Sequence, residues 1–161
     1  MTRTGIGFDA HAFAPADDPR PLVVGGVTIP DHPGLAGHSD ADVLSHAVAD
    51  ALLGAAALGD LGSRFPADEL WKDASSLAIL EETAAQVEDA GYRIVNVDVS
   101  VVAEAPRLAP HRDAMRRNVA GALGVEEAAV SVKATTTDGL GFTGRGEGMA
   151  AMAVATIERA T

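Results

Sequence analysis

The segment from residue 92 to residue 104, YRIVNVDVSVVAE, constrains the fold of this chain more than any other. Its apolar and polar side chains alternate with a period of two, which is typical of a β-strand that buries one face. The apolar segment 148–159 fits either a strand or a helix. We favour a strand that pairs with residues 92–104, because alternate positions then form one apolar face from Met149, Ala151, Ala153, Ala155 and Ile157.

The remaining patterns predict one α/β (α+β) domain over residues 1–161. Gly25 and Gly26 favour a tight turn in a small hairpin, LVVGGVTIP. Ser39 is a candidate N-cap for the first helix. We expect a four-stranded mixed sheet with helices on one face. The strands are expected at 3–13, 92–104, 128–138 and 148–159, and the helices at 40–57, 74–90 and 110–122.

The charge and the composition exclude several classes of protein. A formal net charge of −11 argues against a nucleic-acid surface, because phosphate backbones are bound by clustered lysine and arginine. No segment approaches the roughly 18 consecutive apolar residues of a membrane span. The beginning of the chain lacks the apolar run of a signal peptide, and the chain has no cysteine. We therefore expect a soluble, cytoplasmic protein.

Asp9, His11 and His46 are the candidate ligands of a metal ion. Asp9 and His11 are two residues apart on a predicted strand, so both side chains point to the same face. His46 follows Asp42 by four residues on the predicted first helix, where Asp42 could orient a histidine. The alternatives are a surface hydrogen bond for the first pair, a core histidine for His46, and simple helix-dipole roles for Asp40 and Asp42.

A second group of polar residues is suited to phosphate. His38 immediately precedes the first predicted helix, whose backbone N–H groups can hold an anion. Three consecutive threonines, 135–137, end a predicted strand and offer hydroxyl and N–H donors. Asp138 is a hard oxygen ligand for magnesium or manganese, and Arg145 offers a planar fork for phosphate. The alternative for this segment is a β-branched strand that ends in a glycine-rich turn.

Five segments together resemble the 2-C-methyl-D-erythritol 2,4-cyclodiphosphate synthase family. In chain order they are GIGFDAHAF, LVVGGVTIP, GLAGHSDADVLSHAVADALLGAAALGDLG, NVDVSVVAEAPRLAPH and VKATTTDGLGFTGRGEG, and they cover nearly the whole chain. The resemblance implies a homotrimer of α/β subunits with active sites between subunits. It also implies closure of 4-diphosphocytidyl-2-C-methyl-D-erythritol 2-phosphate into the 2,4-cyclodiphosphate, with release of CMP, in the non-mevalonate isoprenoid pathway.

The resemblance also implies a role for each matching residue. Zinc is expected on Asp9, His11 and His46, and magnesium or manganese near Asp138. His38 and Thr136 match the residues that stabilise the transition state. The substrate-binding positions are Ser39, Asp60, Leu61, Gly62, Phe65, Ala103, Pro106, Arg107, Leu108, Ala134, Thr135, Thr137, Phe142 and Arg145.

Two positions depart from the usual pattern of the resembling family: Arg107 replaces a frequent lysine, and Ala67 replaces a common acidic residue. Asp138 stands where glutamate or aspartate is usual, and it is the shorter of the two, so its reach to a metal ion differs from that of glutamate. The family can also hold an isoprenoid diphosphate on its three-fold axis, where Arg145 would be the contact. Two other functions remain open: a metal-dependent phosphohydrolase, and a non-catalytic trimeric protein that binds a nucleotide or an isoprenoid diphosphate.

Overall fold

A four-stranded sheet and a separate two-stranded hairpin organise residues 1–160, the part of the chain that this computed structural model describes. The sheet has the strand order β1-β6-β4-β5, and the hairpin consists of β2 and β3. The strands are β1 (Thr2–Ala12), β2 (Leu22–Val24), β3 (Val27–Ile29), β4 (Tyr92–Val102), β5 (Val130–Thr135) and β6 (Gly148–Arg159). The α-helices are α1 (Val43–Ala56), α2 (Leu61–Arg64), α3 (Ser76–Asp89), α4 (Arg112–Leu123) and α5 (Gly141–Gly144).

Strand β6 lies at the centre of the sheet, antiparallel to both β1 and β4, and β5 adds to β4 in parallel. The sheet is therefore mixed, as the sequence predicts, and the predicted pairing of segment 148–159 with segment 92–104 is confirmed. The predicted apolar face is also confirmed, because its five residues are completely buried: Met149, Ala151, Ala153, Ala155 and Ile157. This pairing brings the carboxyl ends of β1, β4 and β5 to the same end of the sheet.

The helices cover one face of the sheet, and α1 lies unusually close to β1. A Cβ atom on Gly5 would lie 2.0 Å from the carbonyl oxygen of Ala51, and one on Gly7 would lie 1.9 Å from that of Ala47. Both distances are far below a van der Waals contact. Glycine on the strand and alanine on the helix therefore permit a backbone-to-backbone contact that larger side chains would prevent.

The opposite face of the sheet exposes several large apolar side chains. Ile6 is 66% exposed and Phe8 is 56% exposed, although both flank Gly7, which is buried against α1. Met152 and Val154 on β6 extend this surface. The large side chains of β1 thus point away from the helices while its glycines point inward. We call Ile6, Phe8, Met152 and Val154 the open sheet face.

The prediction that Ser39 caps the first helix is wrong, because α1 begins at Val43 and its N-cap is Asp42. The Asp42 carboxylate accepts a hydrogen bond from the Ser45 N–H at 3.1 Å. It also accepts from the N–H groups of Gly25 and Gly26 at 2.9 and 2.8 Å, so it ties the hairpin turn to α1. The Asp42 carboxylate therefore stabilises the start of α1 and the hairpin turn. It makes no hydrogen bond to the ring of His46, which is the role considered for it from the sequence.

Several predicted boundaries move when the loops are seen. Strand β5 ends at Thr135, so residues 136–138 belong to a loop rather than to the strand. A 3-10 turn at Ala109–His111 precedes α4, which begins at Arg112. The short helices α2 and α5 lie in segments that the sequence patterns do not assign to helices. Over residues 1–160, every helix is too short or too polar to cross a membrane.

We expect Gly7→Ala to destabilise the fold, because the added methyl group would overlap the Ala47 carbonyl and force α1 away from β1. Overpacking of this kind costs about 1–3 kcal/mol. The matched control is Gly121→Ala on the exposed surface of α4, where an added Cβ meets nothing within 4 Å. That variant should gain up to about 1 kcal/mol in helix propensity. Urea unfolding at fixed protein concentration measures both changes, and equal stability of the two variants would contradict the close-contact interpretation.

Candidate metal centre

Three side chains converge at the junction of β1 and α1. Asp9 Oδ2 lies 2.8 Å from His11 Nε2 and 3.2 Å from His46 Nδ1, and the two ring nitrogens are 3.3 Å apart. One ligand atom from each of the three residues lies within 4.8 Å of the others. This group could hold a metal ion, as the sequence predicts.

The close contact between β1 and α1 sets the geometry of this group. Asp9 and His11 lie on the side of β1 that faces α1, where Gly7 permits the close approach of the helix. His46 lies in the first turn of α1 and is 6% exposed. The chain therefore places one ligand on a helix and two on a strand, so that their spacing depends on how those two elements pack.

Hydrogen bonds on the outer sides of the two imidazole rings fix their orientation. His11 Nδ1 lies 2.7 Å from the carbonyl oxygen of Ala36, which can only accept, so this nitrogen carries the proton and donates it. Nε2 of His11 is then the nitrogen that faces Asp9. His46 has the opposite orientation, with Nδ1 facing Asp9 and Nε2 close to the hydroxyls of Ser39 and Ser76 at 3.2 and 2.9 Å.

The protonation of the group reflects this crowding. Burial alone raises the pKa of the Asp9 carboxyl, but hydrogen bonds from His11 and His46 outweigh that effect and hold its pKa well below the usual range. For His11, burial lowers the pKa, and the hydrogen bond and charge of Asp9 reverse the balance and raise it. A carboxylate and two ring nitrogens that face one another need a cation or a proton between them.

The donor set fits a divalent metal ion. Two imidazole nitrogens, which are borderline ligands, together with one carboxylate oxygen suit zinc and similar ions better than magnesium or calcium. Three protein ligands leave the fourth position of a tetrahedral ion open. The side chains of Asp9, His11 and His46 also line a cavity of about 180 Å³, so a bound ion would be accessible from that cavity.

The structure places several other predicted residues around the same cavity. Its lining also includes His38, Ser39, Leu61, Phe65, Ala67, Trp71 and Ile79. His38 Nε2 donates to the carbonyl oxygen of Asp68 at 2.6 Å, which holds the ring at the rim. Phe65 packs edge-on against Trp71, with ring centroids 4.8 Å apart. Ala67, where the sequence lacks an acidic group, therefore lies on an apolar part of the wall.

Three predicted residues, Asp60, Leu61 and Gly62, form the start of α2. The Asp60 carboxylate caps the helix by accepting from the Ser63 N–H at 2.8 Å, and this bond lowers the pKa of Asp60. The N–H of Leu61 donates to the Asp50 carboxylate at 2.8 Å, and Gly62 follows in the same turn. The Asp60 carboxylate is thus partly engaged, whereas the Leu61 side chain reaches the cavity.

The predicted phosphate loop lies at the end of β5. Thr136 Oγ1 donates to Asp138 Oδ1 at 3.1 Å, and the Thr137 hydroxyl lies 2.9 Å from that of Thr143. The N–H groups of Thr137 and Gly139 point to the carboxylate of Glu104 at 3.1 and 3.3 Å. Glu104 therefore holds the loop in shape. No sequence pattern selects this residue, because its partners are more than 30 positions away.

The predicted cytosine-binding segment lies directly beside the phosphate loop. The N–H of Ala103 donates to the carbonyl oxygen of Thr135 at 3.0 Å and joins the two loops. The Ala105–Pro106 peptide bond is cis, Arg107 is exposed, and the Leu108 side chain is buried. The structure therefore brings together two groups of predicted residues, 103–108 and 134–137.

Arg145 is paired with an acidic side chain. Its guanidinium forms a two-pronged pair with the Glu147 carboxylate, with Nε–Oε1 and Nη2–Oε2 distances of 2.7 and 3.2 Å. The hydrogen bond and charge of Glu147 raise the pKa of Arg145. Phe142, in α5, is 40% exposed nearby along the chain. An anion at Arg145 would therefore compete with Glu147.

The metal group on β1 and the phosphate loop after β5 lie on opposite edges of the sheet. Asp9 pairs with Ala151 on β6, Ala151 pairs with Val101 on β4, and Val101 pairs with Ala134 on β5. Three inter-strand steps therefore separate Asp9 from Ala134, which amounts to about 14 Å at the usual strand spacing. The metal group and the phosphate loop share one end of the sheet, but the loop residues are outside the lining of the metal cavity.

Comparison with known proteins shows which family this chain resembles. The profile of the YgbB family matches residues 2–158. A relative from Moorella thermoacetica, named 2-C-methyl-D-erythritol 2,4-cyclodiphosphate synthase, is 60% identical over 94% of this chain and 92% of its own length.

Solved structures show the same fold. The bifunctional IspDF of Campylobacter jejuni superposes with a TM-score of 0.93 at 41% identity, covering 99% of this chain and 43% of that one. IspF of Plasmodium falciparum, solved as a CDP complex, superposes with a TM-score of 0.86 at 29% identity, covering 99% of this chain and 97% of that one. Because the family profile and the 60% identical relative each match nearly the whole chain, this protein belongs to the YgbB family.

Proposed function

We propose that this protein is a 2-C-methyl-D-erythritol 2,4-cyclodiphosphate synthase of the non-mevalonate isoprenoid pathway. The observation that carries the proposal is the Asp9, His11 and His46 group, which opens on a cavity bordered by His38 and Ser39. The family membership and the name of the 60% identical relative support it. The substrate would be 4-diphosphocytidyl-2-C-methyl-D-erythritol 2-phosphate.

The reaction asks the protein mainly to position charged groups. An oxygen of the 2-phosphate attacks the β-phosphorus, and a new P–O bond closes the ring. The bond from the β-phosphorus to the bridging oxygen breaks, and CMP leaves with that electron pair. Reactions of this kind are accelerated by alignment of the reacting atoms and by neutralisation of phosphate charge.

Zinc is the metal that the proposal assigns to Asp9, His11 and His46, since the ligands are two nitrogens and one oxygen. When bound, zinc supplies a Lewis acid for a phosphate oxygen. Ser39, on the same cavity, would donate its hydroxyl proton to the substrate, and His38 would contact the substrate from the cavity rim. The apolar wall of Leu61 and Phe65 would contact the methylerythritol carbon chain.

The phosphate loop is proposed to bind the other half of the substrate. Thr136 offers a hydroxyl to the diphosphate, and Asp138 would hold magnesium or manganese on it. The cytosine pocket would be formed by 103–109 together with 134–136, and a backbone hydrogen bond from Ala103 to Thr135 holds the two segments side by side. The CDP bound to IspF of Plasmodium falciparum is a cytidyl nucleotide of the kind that such a pocket would bind.

A homotrimer with its active sites between subunits forms part of the proposal. The separation of about 14 Å between Asp9 and Ala134 supports it, because a neighbouring subunit could bring its phosphate loop to the metal cavity. The open sheet face also supports it, since exposed apolar surface of this kind marks a contact with another chain. The isoprenoid diphosphate near Arg145 and the cytoplasmic location stay predictions from the sequence.

The first test is product analysis with the proposed substrate. We expect CMP and a cyclic diphosphate, identified by phosphorus NMR and mass spectrometry. His46→Ala should reduce turnover by about 100-fold or more, because it removes a metal ligand. His32→Ala is the control, since its ring contacts Phe13 and the Pro33 carbonyl and is not part of the metal group. Ring-free phosphate products would indicate a phosphohydrolase, and binding without turnover would indicate a non-catalytic protein.

The second test separates the two proposed metal sites. Asp138→Asn keeps the size of the side chain but removes its charge, so magnesium or manganese should bind more weakly and turnover should slow by about 10-fold or more. Zinc content, measured by elemental analysis, should stay at the wild-type level because Asp138 is not in the Asp9 group. Loss of zinc in this variant would contradict the division into two sites.

The third test concerns pH. Zinc can bind His11 only when Nε2 is unprotonated. Because the pKa of His11 is raised from its ordinary value of 6.5, protons compete with zinc for Nε2 even at pH values above 6.5. Zinc affinity should therefore fall as the pH is lowered, by about tenfold per unit once His11 is protonated. Competition with a chromophoric chelator between about pH 8 and pH 6 measures this change. A constant affinity over that range, after correction for the chelator, would contradict His11 as a ligand.

A further inference from the structure

Two residues that the proposed reaction does not use lie directly behind the metal group. The hydroxyl of Ser76, at the first residue of α3, lies 2.9 Å from His46 Nε2 and also contacts Asp40 Oδ1. Asp40 Oδ2 accepts a second hydrogen bond from the Ser76 N–H at 2.9 Å. Ser76 is completely buried, so water does not compete for its hydroxyl.

The direction of these hydrogen bonds follows from the available protons. An ionised carboxylate can only accept, so the single hydroxyl proton of Ser76 goes to Asp40. The Ser76 oxygen is then left with lone pairs toward His46, and the proton between them must come from Nε2. The unprotonated nitrogen of His46 is consequently Nδ1, which is the atom that faces Asp9 and His11.

We propose that Asp40 and Ser76 are positioning residues that hold His46 in its Nε2–H form, with the Nδ1 lone pair aimed at the metal. The inference rests on the proposed metal-binding function of Asp9, His11 and His46. In this arrangement His46 Nε2–H donates to the Ser76 hydroxyl, just as His11 Nδ1–H donates to the Ala36 carbonyl. An ionised carboxylate behind a histidine also makes the ring a stronger ligand, here through one intervening hydroxyl.

Ser39 is the competing partner for the same proton. Its hydroxyl oxygen lies 3.2 Å from His46 Nε2, which is farther than that of Ser76. Ser39 Oγ also accepts from the Ala41 N–H at 3.3 Å, and the residue lies on the wall of the metal cavity. In these contacts Ser76, unlike Ser39, donates its own hydroxyl proton to a carboxylate. We therefore assign Ser76 as the main acceptor of the His46 Nε2 proton.

The same contacts also join α3 to the loop before α1, since the Asp40 carboxylate accepts from the first N–H of the helix. A purely structural role would predict a loss of stability without a specific effect on the metal. Ser75→Ala supplies the comparison, because Ser75 caps α3 by accepting from the Leu77 N–H at 3.3 Å and is exposed. Removing such a cap destabilises a helix by about 1 kcal/mol.

The experiment measures Zn²⁺ affinity of the full chain by competition with a chromophoric chelator, alongside urea unfolding. Ser76→Ala should weaken zinc binding by about 10–100-fold, whereas Ser75→Ala should leave it within about twofold of wild type. A zinc-loaded wild-type protein should also show a slowly exchanging His46 Nε2–H signal by proton NMR. That signal should exchange faster in Ser76→Ala.

Three outcomes would overturn the inference. The first is unchanged zinc affinity in folded Ser76→Ala, and the second is an equal loss in Ser75→Ala, which would indicate a structural effect. The third is a loss in Ser39→Ala without one in Ser76→Ala, which would place the acceptor on Ser39. If Ser76→Ala does not fold, Asp40→Asn, which removes the charge behind the Ser76 hydroxyl, is measured in its place, and unchanged zinc affinity there counts as the first outcome. Failure of the proposed function would instead appear as wrong products from the wild-type enzyme.

Discussion

The contact between β1 and α1 is the constraint on which the rest of the structure depends. Gly5 and Gly7 allow the helix backbone to approach the strand, and the two ligands on β1 thereby reach the one on α1. A helix displaced outward by the width of one methyl group would carry His46 away from Asp9 by a similar distance. Metal ligands tolerate only a few tenths of an ångström of such displacement. The packing of α1 against β1 therefore determines the distances between the metal ligands.

The same constraint explains why the large apolar side chains of β1 point away from the helices and into solvent. A strand that presents glycines to its own helix has only its other face for large side chains, and Ile6 and Phe8 lie there. Covering this face with another chain would remove these apolar side chains from water and so stabilise the assembly. Close packing inside the subunit and the trimer that we propose thus follow from one arrangement of residues on β1.

Much of the fold could be predicted from local pattern, whereas the support of the site could not. Period-two alternation identifies β4 and favours a strand for β6, and the spacing of Asp9 and His11 on one strand identifies two of the three candidate ligands. Local pattern indicates the wrong cap for α1, because Ser39 and Asp42 are both good caps in isolation. The choice between them depends on the N–H groups of the distant Gly25–Gly26 turn. Likewise, Ser76 meets His46 across 30 positions, a contact that no local pattern records.

The electrostatics of the site show how an acidic chain can attract a phosphate substrate. The protein carries a formal net charge of −11, and without an ion the metal group adds the negative charge of Asp9. A divalent ion would reverse the local sign, because one carboxylate and two neutral imidazoles leave a net positive charge. Asp40 contributes its own negative charge, but it is separated from the ion by the Ser76 hydroxyl and the His46 ring. It can therefore strengthen His46 as a ligand while leaving the open side of the ion free for phosphate.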